Sequence, residues 1–164
     1  PAVQWALEEN ITQGVGGGRY DPAGKVTRAQ AVTFLWRAAG KPEPTMKKNP
    51  FTDVKRDQYY YKAVLWAVEK NITKGTSETT FSPNDGCTRG QGVTFLYRYE
   101  ESPAISGGTN PFKDVSSGQY FYTPVLWAVA NEITYGTSDM EFSPNATCTR
   151  AQIVTFLYRD LAEK

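Results

Sequence analysis

Thr88-Arg89-Gly90-Gln91-Gly92-Val93-Thr94-Phe95-Leu96-Tyr97-Arg98 is the stretch on which the fold turns. Thr-x-x-Gln ahead of an apolar run is a capping box, in which the Thr88 hydroxyl accepts from the Gln91 amide while the glutamine side chain reaches back. A helix therefore starts at Thr88. The same device stands at Thr27 with Gln30 and at Thr149 with Gln152, at a constant interval of 61 residues. The run behind it also recurs, as Val32 to Arg37 and as Val154 to Arg159. In the first copy Gln30, Thr33 and Arg37 make a narrow polar stripe, while Val32, Phe34, Leu35 and Trp36 cover the remaining surface. A helix this apolar must be packed on several sides.

Upstream, Trp5, Trp66 and Trp127 keep the same interval, as do Ile11, Ile72 and Ile133, and Gly14, Gly75 and Gly136. In the second copy, Ala63, Val64, Ala67 and Val68 lie on one helical face, which predicts a first helix over 59–70 with Asn71 at its end. The stretch 72–84, rich in Thr, Ser, Gly and Pro, reads as a loop. Linkers over 41–50 and 102–111 then divide the chain into 1–49, 50–109 and 110–164. Self-similarity at this period marks one small unit used three times, each burying an apolar face against its neighbours. The expectation is mainly all-α: three helix-loop-helix hairpins packed as one body. Phe51-Thr52-Asp53-Val54 and Phe112-Lys113-Asp114-Val115 open copies two and three, whereas copy one has no equivalent. The chain is thus expected to be a piece of something longer.

Composition narrows the function. With 40% apolar and 13% aromatic residues, the 164-residue chain has enough apolar material for a core. No apolar stretch approaches the ~18 residues of a membrane span, and any export signal is expected outside this sequence. A net charge of +1 with dispersed charges gives no basic stripe for nucleic acid. Histidine is absent, and no nucleophile elbow, paired carboxylates or Ser/His/Asp set can be assembled, so neither an enzyme nor a cofactor or metal site is expected. Cys87 and Cys148 occupy one repeat position, held by Val26 in copy one, which reads as a small buried apolar site and not a disulfide. Gly14, Gly16, Gly17 and Gly18 complete no dinucleotide fingerprint, and the sequon-like triplets at Asn10, Asn71 and Asn145 carry little information.

Arg28, Arg89 and Arg150 lead the candidate ligand-binding residues, with Trp5, Trp66, Trp127, Gly14, Gly75, Gly136, Asp53 and Asp114 beside them. Each arginine takes the first position of a helix, where the macrodipole disfavours a cation by about 0.3–1 kcal/mol, so each calls for an acidic partner. One candidate is an external anion, held by the guanidinium fork and by unpaired amides at the helix start. The other is internal: Asp53 and Asp114 recur as well and are placed to tie adjacent units together. For Trp5, Trp66 and Trp127 core packing is the first expectation and stacking on a sugar the second. Each of the clusters Tyr59-Tyr60-Tyr61 and Tyr120-Phe121-Tyr122 should bury at least one ring.

Taken together, Phe51-x-Asp53-Val54, Trp66-Ala67, Ile72-x-x-Gly75, Phe81-x-Pro83 and Thr88-Arg89-Gly90-Gln91 resemble the S-layer homology module, and the resemblance covers essentially the whole chain as three modules. It implies a pseudo-three-fold arrangement around a central helical bundle, with ligand grooves between modules. It further implies a non-catalytic part of a larger bacterial surface protein that grips secondary cell-wall polysaccharide, often through an anionic, pyruvylated sugar. The family's Thr-Arg-Ala-Glu motif falls on Arg28, Arg89 and Arg150. Its glutamate, however, is Gln30, Gln91 and Gln152 here, its alanine is Gly90 in copy two, and the tryptophan common early in the first helix is Tyr59 and Tyr120. The alternative from another class is a structural or protein-interaction scaffold at the cell surface whose arginines pair internally.

Overall fold

The computed structural model describes residues 1–162. It contains six helices: α1 (Ala2–Glu8), α2 (Arg28–Ala38), α3 (Tyr61–Glu69), α4 (Arg89–Tyr99), α5 (Tyr122–Ala130) and α6 (Arg150–Leu161). No strand forms among the described residues, only isolated bridges. All three capping boxes close. At α4 the Thr88 amide donates to Gln91 Oε1 (3.0 Å) and the Gln91 amide to Thr88 Oγ1 (3.1 Å), with the same pattern at α2 and α6. Each cap is worth about 1 kcal/mol against alanine.

The first helix of each unit ends on a shared device. Past α3, Asn71 turns to φ 59°, its amide bonds Val68 O, and the Ile72 amide bonds Ala67 O at 2.8 Å. This is a Schellman ending, with a left-handed residue followed by a buried apolar one. Asn10 and Glu132 take the same place after α1 and α5. Thr12 and Thr73 of the sequon-like triplets are consequently buried, so these triplets are structural.

The pairing of helices corrects the hairpin expectation. The backbone of α3 packs on α2, that of α5 on α4, and that of α1 on α6, so each first helix lies against the second helix of another unit. Within a unit, the connection 70–88 is too long to force its flanking helices side by side, and it buries Ile72 and Phe81 of its own. The second helices α2, α4 and α6 touch one another pairwise.

At their N-terminal ends the chain closes a ring of backbone hydrogen bonds. Cys87 N donates to Val26 O (2.9 Å), Val26 N to Cys148 O (3.0 Å) and Cys148 N to Cys87 O (2.7 Å). The three side chains are fully buried there, and both thiols are free. Burial raises both thiol pKa values, that of Cys148 to about 12. This is the inert, apolar site expected at that position.

Candidate functional site

The start of each second helix is occupied by the next unit. The Arg28 amide donates to Asp85 O (2.8 Å) and the Ala29 amide to Pro83 O (3.0 Å). Arg89 and Gly90 find Ala146 O and Pro144 O, and Arg150 and Ala151 find Gly24 O and Pro22 O. With the third amide taken by the threonine cap, no open nest of helix-start amides remains for an anion. That part of the expected site is corrected: neighbouring carbonyls answer the amides left over at a helix start.

The guanidinium groups are a different matter. Arg28 is 3% exposed, its Nε donates to Phe81 O (2.9 Å), and its plane lies over the Phe81 and Phe95 rings. Arg89 repeats this on Phe142 O (2.8 Å) and the Phe142 and Phe156 rings. Arg150 does so on Tyr20, and adds a bond from Nη2 to Thr12 Oγ1 (3.0 Å). The contacts run in a cycle, from the first unit to the second, the second to the third, and the third back to the first. Burial lowers the Arg28 and Arg89 pKa values from a starting point so high that both remain cations.

The recurrent aspartates do not pair with these arginines. Asp53 accepts the Phe81 and Ser82 amides (2.9 and 2.8 Å), and Asp114 accepts those of Phe142 and Ser143 (2.9 and 2.8 Å). Ser82 and Ser143 stand at φ 58° and 59°, so each carboxylate pins a left-handed kink and fixes the carbonyl that the arginine grips. Phe81 is held by Asp53 at its amide and by Arg28 at its carbonyl. Lys62–Glu43 and Lys113–Glu141 form exposed ion pairs, and neither involves a recurrent arginine.

Two clefts open beside the buried guanidiniums. The Arg28 cleft, about 280 Å³, is lined by Thr73 to Thr76, by Gln91, Thr94 and Arg98 of α4, and by Tyr120 from the third unit. The Arg89 cleft, about 440 Å³, is lined by Thr134 to Thr137 and by Gln152, Thr155 and Arg159 of α6. Neither lining contains a carboxylate, whereas Lys74 and Arg98 add positive charge to the first and Arg159 to the second. Arg98 and Arg159 are steadied by one bond each, to Ile72 O (3.2 Å) and Ile133 O (3.1 Å). Arg28 Nη1 and Nη2 make no hydrogen bond to the described residues, and the same holds for Arg89. Most of each guanidinium's hydrogen-bonding capacity is therefore left for the cleft.

Gly75 and Gly136 form cleft walls at φ 83° and 88°, and their amides bond Thr73 Oγ1 and Thr134 Oγ1. A Cβ on Gly75 would sit 2.5 Å from Thr80 O and 2.6 Å from Phe51 Cε1, so only glycine fits. Gly14 holds the equivalent place in the first unit, at φ 77°.

The tryptophans lie elsewhere. Trp66 and Trp127 are buried and Trp5 partly so, in edge or tilted contact with Tyr99, Tyr97 and Tyr158 respectively. None lines either arginine cleft. Exposed Tyr120 takes the aromatic place instead, and burial of part of its ring raises its phenol pKa against the opposing pull of Thr88, Arg28 and Arg98. Sequence reasoning did not single out Lys74, Arg98, Arg159 or Tyr120 as site residues. The Arg37, Arg98 and Arg159 periodicity was the available signal. A roomier cavity of about 630 Å³ lies between the 41–50 linker and α3, but it contains the Lys62–Glu43 pair and none of the recurrent arginines.

Comparison with known proteins gives the geometry its setting. The S-layer homology domain matches residues 1–32, 50–91 and 111–154. The "Surface-layer 125 kDa protein" of Lysinibacillus sphaericus is 31% identical over 98% of this chain, which spans 14% of that protein. The "Cellulosome-anchoring protein" of Acetivibrio thermocellus is 29% identical over 91% of the chain and 35% of its own length. An "Endoglucanase" of a Bacillus species is 34% identical over 82% of the chain and 14% of its own length. The chain thus spans at most about a third of these relatives. Three matched segments that together cover most of the sequence, each reaching the capped start of its second helix, show that the chain belongs to the S-layer homology domain family.

Proposed function

We propose that the three modules, 1–49, 50–109 and 110–164, act as one non-catalytic anchoring unit that holds a larger protein to the bacterial cell wall. We read their cyclic contacts as a pseudo-three-fold arrangement around α2, α4 and α6. Its ligand is an anionic secondary cell-wall polysaccharide of the pyruvylated type, bound in the clefts between modules. Arg28 and Arg89 meet the acidic group, Arg150 has the corresponding role in the third unit, and the loops at Gly14, Gly75 and Gly136 give the ligand close approach to backbone.

One observation carries this reading. Two buried guanidiniums are fixed through Nε, face carboxylate-free clefts with terminal nitrogens that bond none of the described residues, and have further cations beside them. Such a group is oriented before the ligand arrives, which reduces the entropy lost on binding. Relatives named for the surface layer and for cellulosome anchoring support a place at the cell surface, and an enzyme among them is consistent with an anchor attached to catalytic domains. The scaffold alternative relied on internal Asp–Arg pairs, yet Asp53 and Asp114 serve backbone amides instead. Sedimentation with purified cell wall, before and after removal of its acidic substituents, tests the proposal. Retention should fall sharply after that treatment, and undiminished retention would reject an anionic ligand.

A further inference from the structure

At one repeat position beside the clefts the three units differ completely. The residue before the cleft glycine is Gln13, Lys74 and Tyr135 in turn, each exposed and each following a buried threonine. Because glutamine and lysine serve there as well, the fold needs no aromatic ring at that place, and packing does not explain the tyrosine. Tyr135 is 61% exposed, yet its ring is held: the Arg159 guanidinium lies over it, 5.1 Å from the centroid, while Arg159 Nη1 donates to Ile133 O at 3.1 Å. Tyr135 and Arg159 both line the Arg89 cleft, so their stack forms part of its wall. The cleft, at about 440 Å³, has the size of a small-ligand site, and buried Arg89 belongs to the same lining.

We propose that Tyr135 is a specificity-determining residue of the Arg89 cleft, a platform on which a sugar ring stacks while the acidic substituent of that sugar meets Arg89. This deepens the anchoring proposal and rests on it. With the Arg159 guanidinium on one face of the tyrosine ring, the other face is left for a ligand, and the apolar C–H face of a hexose matches it. The cation also fixes the ring before binding, which reduces the entropy lost when a sugar stacks on it. The matching ligand class is an acidic saccharide with one apolar ring face and its acid at the edge of the ring. The Arg28 cleft has Lys74 at this position, so it adds a charge where the Arg89 cleft adds a ring. The two clefts are therefore distinct sites for one polymer.

The variants are Tyr135→Gln, which copies Gln13, and Tyr135→Phe; the residue is exposed, so both should melt with the unaltered chain. The probe is a methyl hexoside carrying a pyruvate ketal, with its methyl ester as the uncharged counterpart. Titration by NMR separates the sites, since the Gly136 and Thr137 amides report the Arg89 cleft and those of Gly75 and Thr76 the Arg28 cleft. Tyr135→Gln should weaken binding at Gly136 and Thr137 about tenfold, for acid and ester alike, and leave binding at Gly75 and Thr76 unchanged. Tyr135→Phe should stay within about twofold of the unaltered chain, because stacking needs the ring and not the hydroxyl. Binding unchanged by Tyr135→Gln would overturn the stacking inference while leaving the anchoring proposal standing. A loss for the acid alone would also overturn it, since the ring would then act only through the charge of Arg159. An unaltered chain in which none of the four amides responds to either probe would overturn both.

Discussion

Replacing Arg28 with alanine removes an interaction that joins two modules as well as a ligand group, and the two losses must be read separately. The side chain is 3% exposed, donates from Nε to Phe81 O at 2.9 Å, and lies 4.8 and 5.5 Å from the Phe81 and Phe95 ring centroids. A hydrogen bond from a charged donor contributes about 1.5–3 kcal/mol. Each cation–ring contact adds about 0.5–1 kcal/mol, the lower value that holds even at exposed sites. The loss is thus about 2.5–5 kcal/mol, and at roughly 2–4 °C per kcal/mol for a chain of this size the melting temperature should fall by about 5–20 °C. Arg28→Lys keeps the charge but lacks Nε and the planar fork, so it should recover little of that stability. Thermal unfolding by circular dichroism measures the shift, and wall sedimentation is then done at a temperature where every variant is folded. A melting temperature within about 2 °C of the unaltered chain for Arg28→Ala would refute the claim that the guanidinium joins the modules. Full wall retention by a folded Arg28→Ala, Arg89→Ala, Arg150→Ala chain would refute its role in binding.

Asp53→Ala removes the acceptor of two backbone amides and should cost about 2–4 kcal/mol in urea unfolding, with Asp53→Asn milder; a change under about 0.5 kcal/mol would contradict the pinning of Phe81 and Ser82. Gly75→Ala forces a side chain into φ 83° against Thr80 O and should cost about 1–3 kcal/mol or displace the cleft loop, measured by the same unfolding and by amide exchange at Thr76. The buried thiols predict an alkaline weakness. Their folded pKa values are raised, so their contribution is intact below the unfolded value near 8.5 and is lost as pH rises from there toward about 12, by about 1.4 kcal/mol per pH unit for each thiol. Cys87→Val with Cys148→Val, copying Val26, should flatten that slope between pH 9 and 11 in urea titrations, and an unchanged slope would show that the thiols do not carry it.

The helices were legible because their signals are local. Each capping box spans four residues, and the Schellman ending at Asn71 rests on bonds to Ala67 and Val68. The buried role of Cys87 and Cys148 was legible from Val26 at the same repeat position. The open helix-start anion nest was not legible: whether those amides are free depends on where Asp85, Pro83 and their counterparts lie, and these come from another module. Tyr120 reaches the Arg28 cleft from the third module, a placement that no spacing within one repeat encodes.

The sequence by itself determined three units of one period, the start of each second helix, and the arginine at its first position, because hydrogen bonds between residues three or four apart follow directly from residue order. Only the tertiary structure decided that first helices pack across modules, that Arg28 and Arg89 grip carbonyls 53 residues away, and that a second arginine lines each cleft. Long flexible connections permit many pairings of such units at similar entropic cost. Which pairing wins is settled by the joint burial of Phe81, Phe142 and their neighbours, a property of the assembled body and of no single segment.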